Sequence, residues 1–204
     1  MTRLRSYRAV LSLLAIAGIL GAFAGPPVAA EEEIPALRPL VHEGEAAPPF
    51  TLNRLDGKPF TYSPGGGSPS LLVFWSAFCP LCRELTPDLV SLAKRHRESI
   101  RILSVNLDGH RFRNAIRSFV KEFGVPYPVL LDEIRNDLFI ASDAYGVSKT
   151  PTAVLVDEDG IVRGSYAAEQ MRNFLRDFDQ RVSRFRRRSS MARPAATPAV
   201  FQER

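Results

Sequence analysis

The stretch Leu71-Leu72-Val73-Phe74-Trp75-Ser76-Ala77-Phe78-Cys79-Pro80-Leu81-Cys82 decides the reading of this chain. Leu71 to Trp75 is short, uninterrupted and apolar, with glycine and proline just upstream, as in a central strand covered on both faces. After Cys79 the period changes. Leu85, Leu89 and Leu92 recur at helical spacing, with Arg83, Lys94 and Arg95 off that stripe. Pro80 falls where a first-turn helical residue would sit, and there a missing N–H costs nothing. Cys79 then stands at a helix N-terminus, where unpaired N–H groups and the helix dipole favour an anion. A free cysteine titrates near about 8.5, and this placement raises its thiolate share at neutral pH.

The chain has two cysteines, so all thiol chemistry falls on this pair. Cys82, one turn along, faces the same side and reaches the sulfur of Cys79. That geometry suits attack by Cys79 on an external disulfide, then resolution by Cys82. Other uses of the pair fit less well. A structural disulfide closing so small a loop constrains the unfolded chain little. A zinc site wants four ligands, and there is no second cysteine pair or histidine cluster nearby. Two ordinary core cysteines would not need a strand-to-helix corner. His42, His96 and His110 are scattered without metal spacing and read as surface residues.

Outward from this centre, the N-terminal residues 1–30 have the three-part layout of a secretory signal. Arg3, Arg5 and Arg8 precede an apolar stretch over residues 9–24, and small residues follow. Ala22-Phe23-Ala24 and Val28-Ala29-Ala30 are both suitable cleavage sites; left uncleaved, residues 9–24 would form a membrane anchor. Either way the layout predicts a periplasmic or other extracytoplasmic location, where disulfides persist. No cysteine follows the apolar run, which excludes a lipid-anchored lipoprotein.

The formal net charge of +5 belongs to the ends. Three of the 27 basic residues lie in the leader and seven in the tail from Arg181, leaving 17 against 21 acidic residues in 31–180. The body is therefore acidic by four charges, and the basic total gives no argument for nucleic-acid binding.

Residues 31–49, rich in glutamate, alanine and proline, read as an extended linker, and residues 50–183 as the folded domain. Phe50-Thr51-Leu52 predicts a short strand, Leu55-Asp56-Gly57-Lys58 a turn, and residues 62–70 a loop. Residues 100–106 and 127–131 predict strands. Phe112, Ile116, Phe119 and Phe123 stripe a helix that Gly124 ends. Residues 138–145 predict a short helix. Ala153–Val156 and Ile161–Arg163 predict a β-hairpin across Asp157-Glu158-Asp159-Gly160. Met171, Phe174, Leu175, Phe178 and Val182 mark a last helix, and residues 184–204 read as a disordered basic tail.

The order strand, CxxC, helix, strand, helix, Thr-Pro, hairpin and closing helix resembles the thioredoxin-like fold, an α/β fold with a mixed central sheet flanked by helices. More closely, the chain resembles the exported TlpA/ResA-like thiol-disulfide oxidoreductases from about Gly44 to Val182. The resemblance rests on Pro49-Phe50-Thr51-Leu52, Leu55-Asp56-Gly57-Lys58, Phe74-Trp75-Ser76-Ala77-Phe78-Cys79 and Tyr145-Gly146-Val147. Thr150-Pro151-Thr152 and Val156-Asp157-Glu158-Asp159-Gly160 add to it. Residues 124–144 match the strand and helix that these proteins insert into the basic fold.

The resemblance implies roles. Cys79 would be the exposed nucleophile and Cys82 the resolving thiol, with the redox-active disulfide between them and no other cofactor or metal. Pro151 would be a cis-proline facing the pair, Thr150 would offer backbone groups to an extended client, and Pro87 would kink the cysteine helix. Phe78 and Trp75 flank the pair, either lining an apolar client groove or packing; Lys149 is either an attractor of acidic clients or a solvated loop residue. Two departures stand out. The position of thioredoxin's buried aspartate is Val73, so no acid from that strand relays a proton for Cys82. The family's glutamate three residues after the second cysteine is replaced by Leu85, with Glu84 one residue earlier, roughly 100° round the helix. Glu84 is kept as an auxiliary candidate.

The function expected is an exported thiol-disulfide oxidoreductase, acting on client proteins as a reductant supplied by a membrane-bound electron donor, with cytochrome c maturation as a frequent family task. The alternative is a thioredoxin-like chaperone holding Cu(I) on the two soft sulfurs. A peroxiredoxin-type peroxidase fits poorly, because position 76 holds Ser76 where that motif has threonine.

Overall fold

The computed structural model describes residues 38–192 of the 204. The leader at 1–30, residues 31–37 and the tail beyond Ala192 lie outside them. Seven strands form one sheet in the order β2-β1-β5-β4-β3-β8-β9. They are β1 Phe50–Arg54, β2 Pro59–Tyr62, β3 Ser70–Trp75, β4 Arg101–Asn106, β5 Val129–Leu131, β8 Thr152–Val156 and β9 Val162–Tyr166. β6 Ile134–Arg135 and β7 Leu138–Phe139 form a separate two-stranded ribbon. The helices are α1 Pro80–His96, α2 Arg113–Phe123 and α3 Met171–Ala192.

β3, the apolar run, lies inside the sheet with every residue buried. It pairs parallel with β4 and antiparallel with β8, and β4 pairs parallel with β5. Parallel neighbours need crossovers, and α1 and α2 supply them. Alternation along β3 splits the core. Leu71, Val73 and Trp75 face the helices, where Leu85, Leu89 and Leu92 of α1, Phe174 and Phe178 of α3, and Ile116 and Phe119 of α2 meet the sheet. Leu72 and Phe74 face the other way, onto Phe50, Tyr62, Tyr145, Val41 and Ala47. Each such fully buried side chain contributes about 1.5–3 kcal/mol. α1 is pinned on both flanks, by Arg83 to Glu122 of α2 and by Glu84 to Arg172 of α3.

Three expectations are corrected and one strand is added. Residues 38–49 are not a free linker: Val41 and Ala47 are buried, Val41 N–H bonds Tyr145 O at 3.0 Å, and Ala46 bridges Ile161. Val41 and Ala47 join Phe50, Tyr62 and Tyr145 on the helix-free face, and composition hid them. Residues 59–62 form a strand, β2, that pairs with β1 across the Leu55–Lys58 turn. Residues 138–145 are not a helix. Asn136 and Asp137 take left-handed φ of 53° and 62°, a two-residue turn that folds Leu138 and Phe139 back onto β6. The buried Asp132 carboxylate then accepts the N–H groups of Ala141 and Ser142 and the Ser142 hydroxyl, starting a run of turns instead. Finally, α3 continues through residues 184–192, where arginine, serine, methionine and alanine carry no helix breaker before Pro194.

Gly146 couples these corrections. Its φ is +66°, and a Cβ there would meet Pro39 O at 2.1 Å. Gly146→Ala should therefore cost at least about 2 kcal/mol from the left-handed backbone and the clash together. Urea denaturation checks this: a midpoint unchanged from wild type would mean that residues 38–41 do not pack against this turn.

Candidate active site

β3 ends at Trp75 and α1 begins at Pro80, so Ser76–Cys79 must bridge a strand and a helix without belonging to either. Their backbone donors still need partners. Ala77 N–H donates to Asp108 Oδ2 at 2.7 Å, Phe78 N–H to Ser76 Oγ at 3.1 Å, and Cys79 N–H to Ser76 O at 3.3 Å. The Ser76 hydroxyl donates to Asp108 Oδ1 at 2.6 Å. Asp108 is itself held: Asn106 Nδ2 donates to Oδ2 at 3.0 Å, and Asp108 N–H returns to Asn106 Oδ1 at 3.0 Å. The parallel register of Trp75 with Asn106 brings the two loops side by side.

Cys79 is the N-cap of α1, in extended backbone (φ −83°, ψ 114°), and its Sγ accepts Cys82 N–H at 3.1 Å. Pro80 is the first helical residue, as its missing donor predicts. Cys79 and Cys82 are joined by a disulfide. The two sulfurs have unlike surroundings. Cys79 is half-buried at the surface, whereas Cys82 is 3% exposed. Behind Cys82 lies a small cavity of about 10 Å³, lined by Val73, Leu85, Leu89, Phe119 and Pro151 and by the hydroxyl-bearing Thr86, Ser104 and Tyr127. No carboxylate lines it. Thr86 Oγ1 donates to Cys82 O at 2.7 Å, fixing the turn just before Pro87.

Opposite the pair, the Thr150–Pro151 peptide is cis. Thr150 O lies 3.5 Å from Cys79 Sγ. The pairing of Phe74 with Thr152 sets this approach, and Thr152 Oγ1 ties the loop by donating to Lys149 O at 2.8 Å. Phe78 is 60% exposed beside Cys79, whereas Trp75 is buried against Phe119 with ring centroids 4.6 Å apart. The structure therefore brings Cys79, Cys82, Thr150, Pro151 and Phe78 together.

Glu84 is not brought to the sulfurs. Both its carboxylate oxygens are taken by Arg172 of α3, and that bonded guanidinium holds the carboxyl below its ordinary pKa. Lys149 pairs with Glu169 at 2.9 Å, which raises the amine and lowers the carboxyl. Of the histidines, His96 is half-buried, between Asp179 and the Phe178 ring with a side chain 17% exposed. The sequence reading missed Ser76, Asn106 and Asp108. Asn106-Leu107-Asp108 after an apolar strand is a turn signal, yet its partner loop lies more than 30 residues away. Among the described residues no group of three or more histidine, cysteine, aspartate or glutamate side chains is placed to hold a metal.

This geometry agrees with comparisons to known proteins. The AhpC/TSA family model matches residues 44–165. The chain is 30% identical over 140 residues to the thiol-disulfide oxidoreductase ResA of Bacillus subtilis, covering 66% of this chain and 75% of that protein. It is 28% identical over 126 residues to the thioredoxin-like protein YneN of Bacillus subtilis, covering 60% and 70%. Among solved structures, a Chlorobium tepidum protein described as a thiol:disulfide interchange protein of the DsbE type superposes with a TM-score of 0.54 at 25% identity, covering 62% of this chain and 86% of that one. With that family match spanning most of the folded body, and a cysteine pair capping α1 as the shared chemistry requires, the chain belongs to the AhpC/TSA family and, within its thioredoxin-like members, to the ResA-like thiol-disulfide oxidoreductases.

Proposed function

We propose that this oxidoreductase is exported and reduces disulfides in client proteins, with Cys79 as nucleophile and Cys82 as resolving thiol. The observation that carries this reading is the asymmetry of the pair: one sulfur at the surface capping a helix, the other sealed behind it. In the proposed cycle the Cys79 thiolate attacks a client disulfide, a Cys79–client bond forms, and the first client sulfur leaves as thiolate. Cys82 then loses its proton and attacks Cys79 Sγ, releasing the second client sulfur. The client gains two electrons and the Cys82 proton, its remaining thiolate takes a proton from solvent, and the enzyme is left as the Cys79–Cys82 disulfide. A membrane-bound thiol donor would restore the dithiol.

Thr150 and Pro151 would receive the client backbone beside Cys79, and Phe78 would touch its side chains. The leader layout supports an extracytoplasmic setting, with residues 9–24 as an anchor if retained. Among the described residues no helix is long and apolar enough to cross a membrane. Apocytochrome c awaiting haem attachment is the client class that the ResA-like resemblance suggests.

Three outcomes test the assignment. Cys82→Ser should accumulate mixed disulfides between Cys79 and clients, visible on non-reducing gels and absent from the Cys79→Ser/Cys82→Ser double variant. No Cys79-dependent adduct in cells would end the client-reductase reading. Asp108→Ala removes the acceptor of Ser76 and Ala77 and should slow disulfide reduction about tenfold or more, because small misplacement of a nucleophile is costly. Asp108→Asn keeps one acceptor and should fall between the two; equal rates in all three would remove Asp108 from the positioning of Cys79. Glu84→Gln should leave the reduction rate within about twofold of wild type, since an exposed ion pair such as Glu84–Arg172 contributes little. A large rate loss with intact folding would restore Glu84 as a participant.

A further inference from the structure

Among the described residues four large apolar side chains are exposed: Phe78, Phe112, Ile134 and Leu138. They come from three separate parts of the sequence, yet the topology gathers them at one end of the molecule. β3, β4 and β5 run parallel, so the segments that follow their C-terminal ends emerge together. Phe78 follows β3, Phe112 follows β4, and the β6–β7 ribbon with Ile134 and Leu138 follows β5. The pieces are joined. The Phe78 and Phe112 rings meet edge to face with centroids 5.0 Å apart. His110, two residues before Phe112, bonds Glu133, the residue before Ile134, at 2.8 Å.

We infer that this strip, running from beside Cys79 across Phe112 to the β6–β7 ribbon, is the surface that recognises the client, and that the client segment it takes is apolar near its cysteine. The inference rests on the client-reductase reading and names the substrate class of that site. Two physical features support it. An exposed aromatic pair already locked ring to ring loses little further freedom on binding, and aromatic anchors of this kind dominate interface energetics. Continuity with Cys79 fixes which partner lies there, because any protein whose disulfide reaches that sulfur must cover Phe78 and its neighbours.

The test compares three probes on wild type, Phe112→Ser and the Ile134→Ser/Leu138→Ser double variant. One probe is oxidised glutathione. The second is the glutathione mixed disulfide of a short peptide whose cysteine is flanked by phenylalanine and leucine. The third is the same peptide with serine replacing phenylalanine and leucine. Both variants should lose about tenfold in kcat/KM on the apolar peptide, through KM, the scale of a lost interface anchor. Rates on oxidised glutathione and the serine peptide should be unchanged. Equal losses on all three probes, or none on the apolar peptide, would overturn the inference. So would a wild-type dimer in sedimentation velocity that the variants dissolve, since a second copy would then own the strip. Failure of the reductase reading itself shows differently, as a wild type that reduces no probe. In that case, titration with the apolar peptide carrying serine for cysteine still decides: binding weakened by the variants upholds the surface, and no binding by wild type removes it.

Discussion

The Asp108 carboxylate holds the reactive end of this molecule together. A buried parallel strand and an amphipathic helix leave the segment between them with backbone donors that neither element can use. Asp108 takes one of those donors directly and a second through the Ser76 hydroxyl. Only then does Cys79 arrive at α1 in the extended conformation an N-cap needs, with its sulfur on the Cys82 N–H. The carboxylate itself is delivered by β4, whose register against β3 is fixed by the burial of Leu103 and Val105 on one face and Ile102 on the other. Packing of the sheet thus reaches the chemistry through one side chain that lies in no strand or helix.

The same chain of cause explains what could be read from the sequence. The β3 run, the α1 stripe, the α2 stripe of Ile116, Phe119 and Phe123 closed by Gly124, and the β8–β9 hairpin carry strong local periods and formed close to where those periods place them. The exceptions are that Phe112 falls outside α2 as its exposed N-cap and that β9 runs on to Tyr166. Cys79, Cys82 and the Thr150-Pro151 dipeptide were legible because their types are rare and their order is distinctive. Asp108 was not, since an aspartate in a turn is ordinary until β3 and β4 are paired. Glu84 was ambiguous for a related reason. Its helical phase turns it toward α3, and Arg172, 88 residues later, captures it. Val41 and Ala47 were hidden in an acidic, proline-rich segment because the face they cover exists only once Leu72 and Phe74 have been aligned by the sheet. Long-range partners, not local propensity, decided each of these positions.

The inserted segment shows how local signals compete. Residues 138–145 have an apolar pattern that suits a helix, yet Asn136-Asp137 adopts a tight left-handed turn that a β-branched pair would resist. Asp132 then collects three donors from residues 141–142 that a regular helix start would leave to solvent or a cap. The outcome is a ribbon that projects Ile134 and Leu138 outward at the same end as Phe78, while Tyr145 and Ala141 turn inward to close the core. One short stretch serves the interior and the exterior by giving up regular secondary structure.

The absence of a carboxylate behind Cys82 bears on proton movement in the proposed cycle. Val73, Leu85 and Leu89 line that cavity, the Thr86 and Ser104 hydroxyls at its wall are given to Cys82 O and Pro128 O, and no carboxylate reaches it. Glu84, the nearest carboxylate in sequence, is committed to Arg172. Negative charge is therefore favoured on the outer sulfur, where the helix N-terminus and the Cys82 N–H meet it. In the proposed cycle, when the inner thiol attacks the mixed disulfide, the client thiolate leaving from the same mouth would take its proton. Proton and electron pair would then pass to the client at one opening, so the reaction needs no buried acid, only a client held close enough to accept both.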